Sequence, residues 1–227
     1  MATQPIATMP RHLVLIPTEL ERRIIAPHFA GATPELCRIE LCGFGMVAAA
    51  ARAAAAIAAA RPDRVLLVGV AGAYDDRLPL GTAWGFRRVG CIGIGAGSGD
   101  AFVSAEAMGW PQWPGDSAGP ETVIGDEIAC AAAAWPQAPW ADLLLSVTAA
   151  SGDAADAARR RRSFPAAAAE DMEGFGVALA CRLAQVPLTI VRGISNVAGD
   201  RNTAAWKLAD AADAAGGLAA RLVEEAA

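Results

Sequence analysis

Histidine is scarce in this chain, and the scarcity argues against two kinds of catalytic centre. Only His12 and His28 occur in 227 residues. The segment between them has the pattern of a strand followed by a helix, so a histidine metal centre or a Ser-His-Asp triad is hard to assemble. We interpret His12 as a residue at the start of a strand and His28 as one near the end of a helix.

Paired cysteines are also missing. The chain has five cysteines, an odd number, and none of them forms a CxxC motif. This pattern argues against a disulfide framework and against a zinc site, so we expect the cysteines to be small buried hydrophobic residues. No metal and no cofactor is predicted.

An excess of positive charge is absent as well. The net charge of −5 and the isoelectric point near 5.1 argue against the positively charged surface that binds nucleic acid. One basic run, Arg159 to Arg162, follows an Ala/Asp segment with helical spacing. We interpret it as the solvated face of a helix, with contact to a substrate or partner anion as the alternative.

The chain also lacks long apolar runs and targeting segments. The most hydrophobic stretch, Met46 to Ala60, consists mainly of alanine and is interrupted by Arg52, so no membrane span is predicted. The first residues lack a basic segment followed by an apolar one, which predicts no secretory signal. We therefore expect a cytoplasmic protein.

The pattern that is present is typical of an α/β protein. With 227 residues and 54% hydrophobic content, the chain suits a single domain over residues 1–227. Apolar runs of strand length alternate with alanine-rich helical segments, which predicts a three-layer domain whose central twisted sheet is mixed, largely parallel and flanked by helices. Strands are predicted at His12–Ile16, Cys37–Cys42, Arg64–Val70, Thr82–Ile94, Leu143–Val147 and Leu188–Ile194. Helices are predicted at Glu19–Phe29, Met46–Ala60, Gly125–Ala134, Ala154–Arg162, Met172–Gln185 and Ala204–Glu225, with a long loop at Gly95–Thr122.

Two glycine-containing turns follow predicted strands. The first, Gly43 to Ala48, formally fits the G-x-G-x-x-G/A dinucleotide fingerprint, but the next strand does not end in the acidic residue that would hold a ribose. A turn that approaches another ligand closely is the better interpretation. The second turn, Gly69 to Ala73, has no arginine, lysine or hydroxyl group, so it is a poor phosphate cradle.

Carboxylates stand at the starts of two predicted helices. Thr18 can cap the first helix, and Glu19 and Glu21 can favour its positive end, or one of these carboxylates can face a ligand and polarise water. The residues alone leave both interpretations open. Asp171 can cap a later helix, while Glu173 beside Met172 can accept two hydrogen bonds from a vicinal diol.

A further polar pair follows the last predicted strand. Ser195 and Asn196 end the sequence RGISN. An asparagine amide can both donate to and accept from the edge of a purine, although an Asx turn at a strand end would use the same residue.

Together these segments resemble the purine nucleoside phosphorylase and nucleosidase superfamily, close to the methylthioadenosine/adenosylhomocysteine nucleosidases. The resemblance covers most of the chain and lies in the order and spacing of several loose motifs. They are GFGMVAAA from Gly43, GVAGAYDDRLPLG from Gly69, SGD from Ser151, DMEG from Asp171 and RGISN from Arg192.

Within that superfamily, RGISN, the following GDRN turn and Trp206 are similar to the futalosine hydrolases of the alternative menaquinone pathway. The stretch GIGAGSGDAFVSAEAMGWPQWP also resembles their loop. The resemblance implies hydrolysis of the N-glycosidic bond of futalosine, a small-molecule nucleoside, to hypoxanthine and dehypoxanthine futalosine. It also implies a homo-oligomer whose partner can complete the pocket.

The resemblance further implies the site residues. Glu173 would hold the ribose hydroxyls above Met172, and Glu21, or alternatively Glu19, would activate water. Asn196 replaces the aspartate of the related nucleosidases; it cannot transfer a proton, but it can bridge O6 and N7 of a 6-oxopurine. The remaining substrate-binding residues are Ser195, Ala71, Gly72, Phe102 as a candidate for base stacking, and Arg192 as one candidate for the carboxyphenyl end.

Three other functions stay open at this point. The first is a nucleosidase for methylthioadenosine, adenosylhomocysteine or the 6-amino analogue of futalosine. The second is a phosphorylase, and the third is a non-catalytic nucleoside-binding protein with the same fold. The residues Ala154 and Ala155 after the SGD motif also differ from the Phe-Ile that is usual in the nucleosidases.

Overall fold

The computed structural model describes residues 10–116, 123–132 and 137–225. Within these ranges eight strands form one sheet, and two short strands form a separate hairpin. The sheet strands are β1 (His12–Ile16), β2 (Cys37–Leu41), β3 (Arg64–Ala73), β4 (Ala83–Ile92), β7 (Glu127–Ala129), β8 (Trp140–Val147), β9 (Ala167–Asp171) and β10 (Leu188–Val197), and the hairpin strands are β5 (Gly95–Ala96) and β6 (Val103–Ser104).

The sheet is mixed and largely parallel, which confirms the predicted fold class. Its order is β10-β4-β8-β9-β3-β1-β2, with β7 on β4. The pairs β1–β2, β1–β3, β3–β10, β4–β8 and β8–β9 are parallel, while β3–β9, β4–β10 and β4–β7 are antiparallel.

The sheet also closes on itself, a feature the sequence pattern did not predict. Strand β3 pairs with both β9 and β10, so β3, β10, β4, β8 and β9 form a ring of hydrogen-bonded neighbours. The closure brings the ends of β3, β9 and β10 together, and these three strands carry Gly69 to Ala73, Glu170 and Asp171, and Ser195 and Asn196.

Helices cover the sheet on two sides. They are α1 (Glu19–Ile25), α2 (Met46–Ala60), α3 (Ala154–Ser163), α4 (Gly174–Leu183) and α5 (Leu208–Glu225). Helices α2 and α4 pack in one hydrophobic cluster, and α1 and α5 pack in another against the opposite face of β1 and β3. Among the described residues, no helix is long and apolar enough to cross a membrane.

One predicted helix is wrong, and four of the described strands, β5, β6, β7 and β9, were not predicted. Residues 127–129 of the predicted helix Gly125–Ala134 form β7, where Ile128 lies opposite Val89 of β4; residues 133 and 134 lie outside the described ranges. Strand β9 was not predicted because alanine, which supplies most of its residues, has low strand propensity. The predicted loop Gly95–Thr122 contains the β5–β6 hairpin and two 3₁₀ turns in its described part.

Candidate active site

Glu21 is buried beside β3, and it also takes part in the N-terminal cap of α1. Thr18 and Glu21 form a capping box, in which the Thr18 N–H donates to Glu21 Oε2 at 3.1 Å and the Glu21 N–H donates to Thr18 Oγ1 at 3.2 Å. The Thr18 hydroxyl also donates to Glu21 Oε2 at 2.6 Å. The other carboxylate oxygen, Oε1, accepts the N–H of Val70 at 3.1 Å. The capping interpretation is therefore confirmed, and the second carboxylate oxygen contacts the backbone of β3.

Glu19 lies in a different environment. Its side chain is 44% exposed and is paired with Arg22 at 2.7 Å and Arg23 at 3.5 Å. These pairs lower the pKa of Glu19, first through the hydrogen bond from Arg22. Of the two candidate carboxylates, only Glu21 contacts the end of β3.

Glu173 is the last residue before α4 and is also buried. Its Oε1 accepts the N–H of Gly45, at the start of α2, at 3.0 Å. The first glycine-containing turn therefore binds a carboxylate side chain of the protein through its backbone. Burial raises the pKa of Glu173 to about 7; the Arg192 charge opposes this effect, and the charges of Asp171 and Glu21 add to it.

Arg192 joins the acidic residues. It is fully buried and donates to Asp171 through Nε at 3.1 Å and through Nη2, and Nη2 also lies 3.4 Å from Glu173 Oε2. Its remaining nitrogen, Nη1, has no hydrogen-bond partner among the described residues. We refer to Glu21, Asp171, Glu173 and Arg192 as the carboxylate cluster.

Gly69 makes room for this cluster. A Cβ atom at Gly69 would collide with Arg192 Nη1 and would lie 2.8 Å from Glu21 Oε1. Both atoms therefore approach the same α-carbon. The absence of a side chain at Gly69 therefore lets the side chains of Arg192 and Glu21 approach β3 at the same point.

Asp171 was predicted as a helix N-cap, but it is the last residue of β9 and Glu173 occupies the N-cap of α4. Asp171 accepts the N–H of Gly174, the first residue of α4, at 2.9 Å, and it also accepts the Ser146 hydroxyl at 2.6 Å. It thereby fixes the position of Arg192 relative to the start of α4. Sequence reasoning missed this role because it did not predict β9, and the only signal was the acidic run EDMEG.

A cavity of about 160 Å³ opens beside the carboxylate cluster. We call it the Asn196 cavity. Val70, which donates to Glu21, and Asp171, which binds Arg192, both line it. Of the predicted site residues it brings together Ala71, Gly72, Met172, Ser195 and Asn196.

A β-bulge sets the positions of Ser195 and Asn196. The register between β3 and β10 shifts between Ile194 and Asn196, so Ser195 has no partner in the pairing. The Ser195 hydroxyl lies 2.8 Å from Asn196 Oδ1, and Asn196 Nδ2 donates to the Val197 carbonyl at 2.9 Å. These contacts orient the amide and leave one of its N–H groups for a ligand.

The SGD motif is held in place by a buried carboxylate. Glu170 accepts the N–H of Ser151 at 2.7 Å and its hydroxyl at 2.6 Å, and it also accepts the Tyr74 hydroxyl at 2.9 Å and Arg160 at 3.0 Å. Glu170 and Ser151 both line the Asn196 cavity. The prediction of a solvated helix face is thus wrong for Arg160, whose side chain is only 15% exposed.

Two predicted contacts are not present in this arrangement. Phe102 does not line the Asn196 cavity; it lines a neighbouring cavity of about 250 Å³ that shares Val147 with it. Arg192 was suggested for the carboxyphenyl end of a substrate, but its charge faces two carboxylates inside the protein. Among the described residues, no group of three or more His, Cys, Asp or Glu side chains could hold a metal ion.

Comparison with known proteins places this site in a family. Residues 143–227, which include β9, α4 and β10, match the phosphorylase superfamily. The chain is 33% identical to the futalosine hydrolase of Streptomyces coelicolor, over 91% of this chain and 94% of that protein. The chain belongs to the futalosine hydrolase family.

Solved structures show the same fold at low sequence identity. Futalosine hydrolase of Helicobacter pylori superposes with a TM-score of 0.75 at 17% identity, covering 96% of this chain and 98% of that chain. The methylthioadenosine/adenosylhomocysteine nucleosidase of Neisseria meningitidis, in complex with methylthio-immucillin-A, gives a TM-score of 0.74 at 20% identity, covering 96% and 99%. The proteins of this family and its relatives are N-glycosidic bond hydrolases, as the sequence predicted.

Proposed function

We propose that this protein hydrolyses the N-glycosidic bond of futalosine to hypoxanthine and dehypoxanthine futalosine, a step of the alternative menaquinone pathway. The observation that carries the proposal is the position of the carboxylate cluster beside a cavity that contains an asparagine amide. Cleavage of a ribosyl C–N bond passes through an oxocarbenium-like transition state. Such a reaction needs groups that hold the ribose, activate water and stabilise the departing base.

Glu173 holds the ribose hydroxyls in this proposal. One of its oxygens accepts from Gly45, and both retain lone pairs for two further donors. Met172, which lines the Asn196 cavity, supports the sugar from below. The ionised carboxylate accepts these hydroxyls, so substrate binding favours loss of the Glu173 proton.

Glu21 activates the attacking water. Its Oε1 and the unpartnered Nη1 of Arg192 both lie next to Gly69, so one water molecule can bind to both. The carboxylate then accepts a proton while the guanidinium holds the water oxygen. General-base help of this kind contributes roughly 10²- to 10⁴-fold to the rate.

Asn196 stabilises the leaving base. Its free amide N–H can donate to O6 of hypoxanthine, and its oxygen can accept from N7 once water has supplied a proton to that nitrogen. The amide itself cannot donate a proton to an adenine as a carboxylic acid would. The Ala71 and Gly72 backbone and Ser195 complete the surface around the base.

Water, and not phosphate, is the proposed nucleophile. The segment from Gly69 to Ala73, predicted as a turn, is the last part of β3. It carries no basic or hydroxyl side chain, and a phosphorylase needs several such groups around its phosphate. A cytoplasmic location and a homo-oligomeric assembly remain predictions from the sequence.

The test is an incubation of the purified protein with futalosine in phosphate-free buffer, with the released base separated by chromatography. The proposal predicts hypoxanthine and no dependence on added phosphate. Strict dependence on phosphate with formation of a ribose 1-phosphate product would identify a phosphorylase. No base released from futalosine or from its 6-amino analogue would favour a protein that only binds nucleosides.

A further inference from the structure

The rim of the Asn196 cavity carries a cation stacked on an aromatic ring. Arg201 and Trp206 both line the cavity, and the Arg201 guanidinium carbon lies 5.2 Å from the centre of the Trp206 ring. This distance is within the range of a cation–π contact. Leu208 adds an apolar side chain to the same lining.

The turn that carries this pair is fixed by its own hydrogen bonds. Trp206 Nε1 donates to the Asp200 carbonyl at 3.1 Å, and the Asn202 N–H donates to Asp200 Oδ1 at 2.8 Å. Gly199 has a φ of 85°, and a Cβ atom there would collide with the Asp153 backbone. The Trp206 ring is therefore oriented before any ligand binds, which lowers the entropic cost of binding a ligand there.

Arg201 differs from other arginines around the neighbouring cavities because no carboxylate neutralises it. Arg160 is paired with Glu170, and Arg161 is paired with Asp75 at 2.6 Å. Arg201 is exposed and forms no ion pair with any described residue. A guanidinium without an ion-pair partner can donate two parallel hydrogen bonds to an incoming carboxylate.

The size of the cavity determines which part of a substrate reaches the rim. About 160 Å³ is less than the roughly 300 Å³ at which pockets for drug-sized ligands begin. Ser151 and Ser195 in the interior are 1% and 3% exposed, so the interior suits the base. The substituent on the far side of the ribose from the base must then leave the cavity over its exposed rim.

We propose that Arg201 and Trp206 form a subsite for an aromatic carboxylate, and that this subsite selects nucleosides that carry a carboxyphenyl group opposite the base. The phenyl ring stacks on the face of Trp206 that Arg201 does not cover, and Arg201 binds the carboxylate. The inference rests on the proposed hydrolysis of futalosine, because it assigns the base to the interior of the same cavity. Arg201 is a specificity-determining residue and takes no part in the bond cleavage.

The test compares futalosine with its methyl ester, which keeps the aromatic ring and loses the negative charge. We expect the wild type to prefer the acid, and Arg201→Gln to lower kcat/KM for the acid by about 10- to 100-fold while the ester is unaffected. Arg221→Gln, on the exposed side of α5 and outside the cavity lining, should keep the wild-type ratio. Trp206→Leu should lower kcat/KM for both compounds, because both stack on the ring.

One result would overturn the subsite: an acid-to-ester ratio in Arg201→Gln equal to that of the wild type, whether both rates are unchanged or both fall by the same factor. Calorimetric titration with benzoate separates a failure of the subsite from a failure of the proposed function. If the wild type cleaves neither compound but binds benzoate, and Arg201→Gln no longer binds benzoate, the subsite is supported and the proposed hydrolysis is not. Equal benzoate binding by the wild type and the variant would contradict the subsite.

Discussion

Gly45 donates its backbone N–H to Glu173 Oε1 at 3.0 Å, which joins the start of α2 to the start of α4 across 128 residues of sequence. The bond uses one lone pair of a carboxylate whose second oxygen lies near Arg192. Glu173 is thus held from two sides, and it directly follows Met172, which lines the Asn196 cavity. The pH dependence of catalysis should reflect this carboxylate.

The first prediction concerns that pH dependence. Burial raises the pKa of Glu173 to about 7, so the group is largely neutral below that pH and ionised above it. Because the ionised form accepts the ribose hydroxyls, kcat/KM should rise about tenfold per pH unit up to pH 7 and then level off. Glu173→Gln should lower kcat/KM strongly and remove this limb. A wild-type profile that is flat from pH 5.5 to 8 would argue against the role of Glu173.

The second prediction separates the two carboxylates of α1. Glu21→Gln should lower kcat by roughly 10²- to 10⁴-fold, because the amide cannot accept a proton from water. Glu19→Gln is the matched control on the same helix and should stay close to wild type, since Glu19 is exposed and paired with Arg22. Steady-state kinetics of both variants decides between them, and a larger loss in Glu19→Gln would reverse the assignment.

The third prediction concerns Gly69. A methyl group at this position would displace Arg192 Nη1 and crowd Glu21 Oε1, so Gly69→Ala should reduce kcat even in protein that remains folded. Gly31→Ala is the control, because a Cβ atom at Gly31 meets nothing within 4 Å. Circular dichroism checks the fold and base release checks the rate. A Gly69→Ala variant with wild-type kcat would contradict the placement of water beside this residue.

The fourth prediction concerns stability in acid. His12 is 2% exposed, and neither of its ring nitrogens has a partner among the described residues. Burial lowers its pKa below the ordinary 6.5, and the charges of Arg11 and Arg64 lower it further. Below pH 6.5 the unfolded chain therefore binds a proton that the folded protein does not. As the pH is lowered, the free energy of unfolding decreases by up to about 1.4 kcal/mol per pH unit until the pKa of His12 in the folded protein is reached.

Urea unfolding of the wild type and of His12→Leu between pH 7 and 5 measures this effect. The variant lacks the titrating group, so its midpoint should fall less over that range than the midpoint of the wild type. Parallel curves for the two proteins would show that His12 does not contribute to acid sensitivity.

The sequence predicted the fold where local patterns and tertiary contacts agree. The aliphatic run His12–Ile16 and the alanine-rich run Met46–Ala60 have the predicted bounds, because a continuous apolar run and a long run of strong helix formers are clear local signals. The segment Glu127–Ala129 became a strand because β4 offers it a partner, which no local pattern reveals. Closure of the sheet through β3 and β10 is likewise a consequence of long-range pairing.

The candidate site could be predicted in part. The motifs identified Glu21, Glu173 and Asn196, and the structure places the first two in one cluster and the third in the adjoining cavity. The ion pair of Asp171 with Arg192 could not be predicted, because it depends on which strand ends meet. The stacking of Arg201 on Trp206 depends on the course of a turn, and the position of Phe102 in the neighbouring cavity depends on the course of its loop, so neither could be predicted.

Asn196 carries the claim about the substrate. Its amide can bridge O6 and N7 of a 6-oxopurine but cannot protonate N7 of adenine, so the wild type should favour futalosine over its 6-amino analogue. Asn196→Asp should move the preference toward the analogue.

The most direct measurement is the ratio of kcat/KM for the two nucleosides, obtained with purified wild type and with Asn196→Asp from the rates of hypoxanthine and adenine release. The account predicts a wild-type ratio well above one that falls in the variant. A wild type that releases adenine faster than hypoxanthine would contradict it.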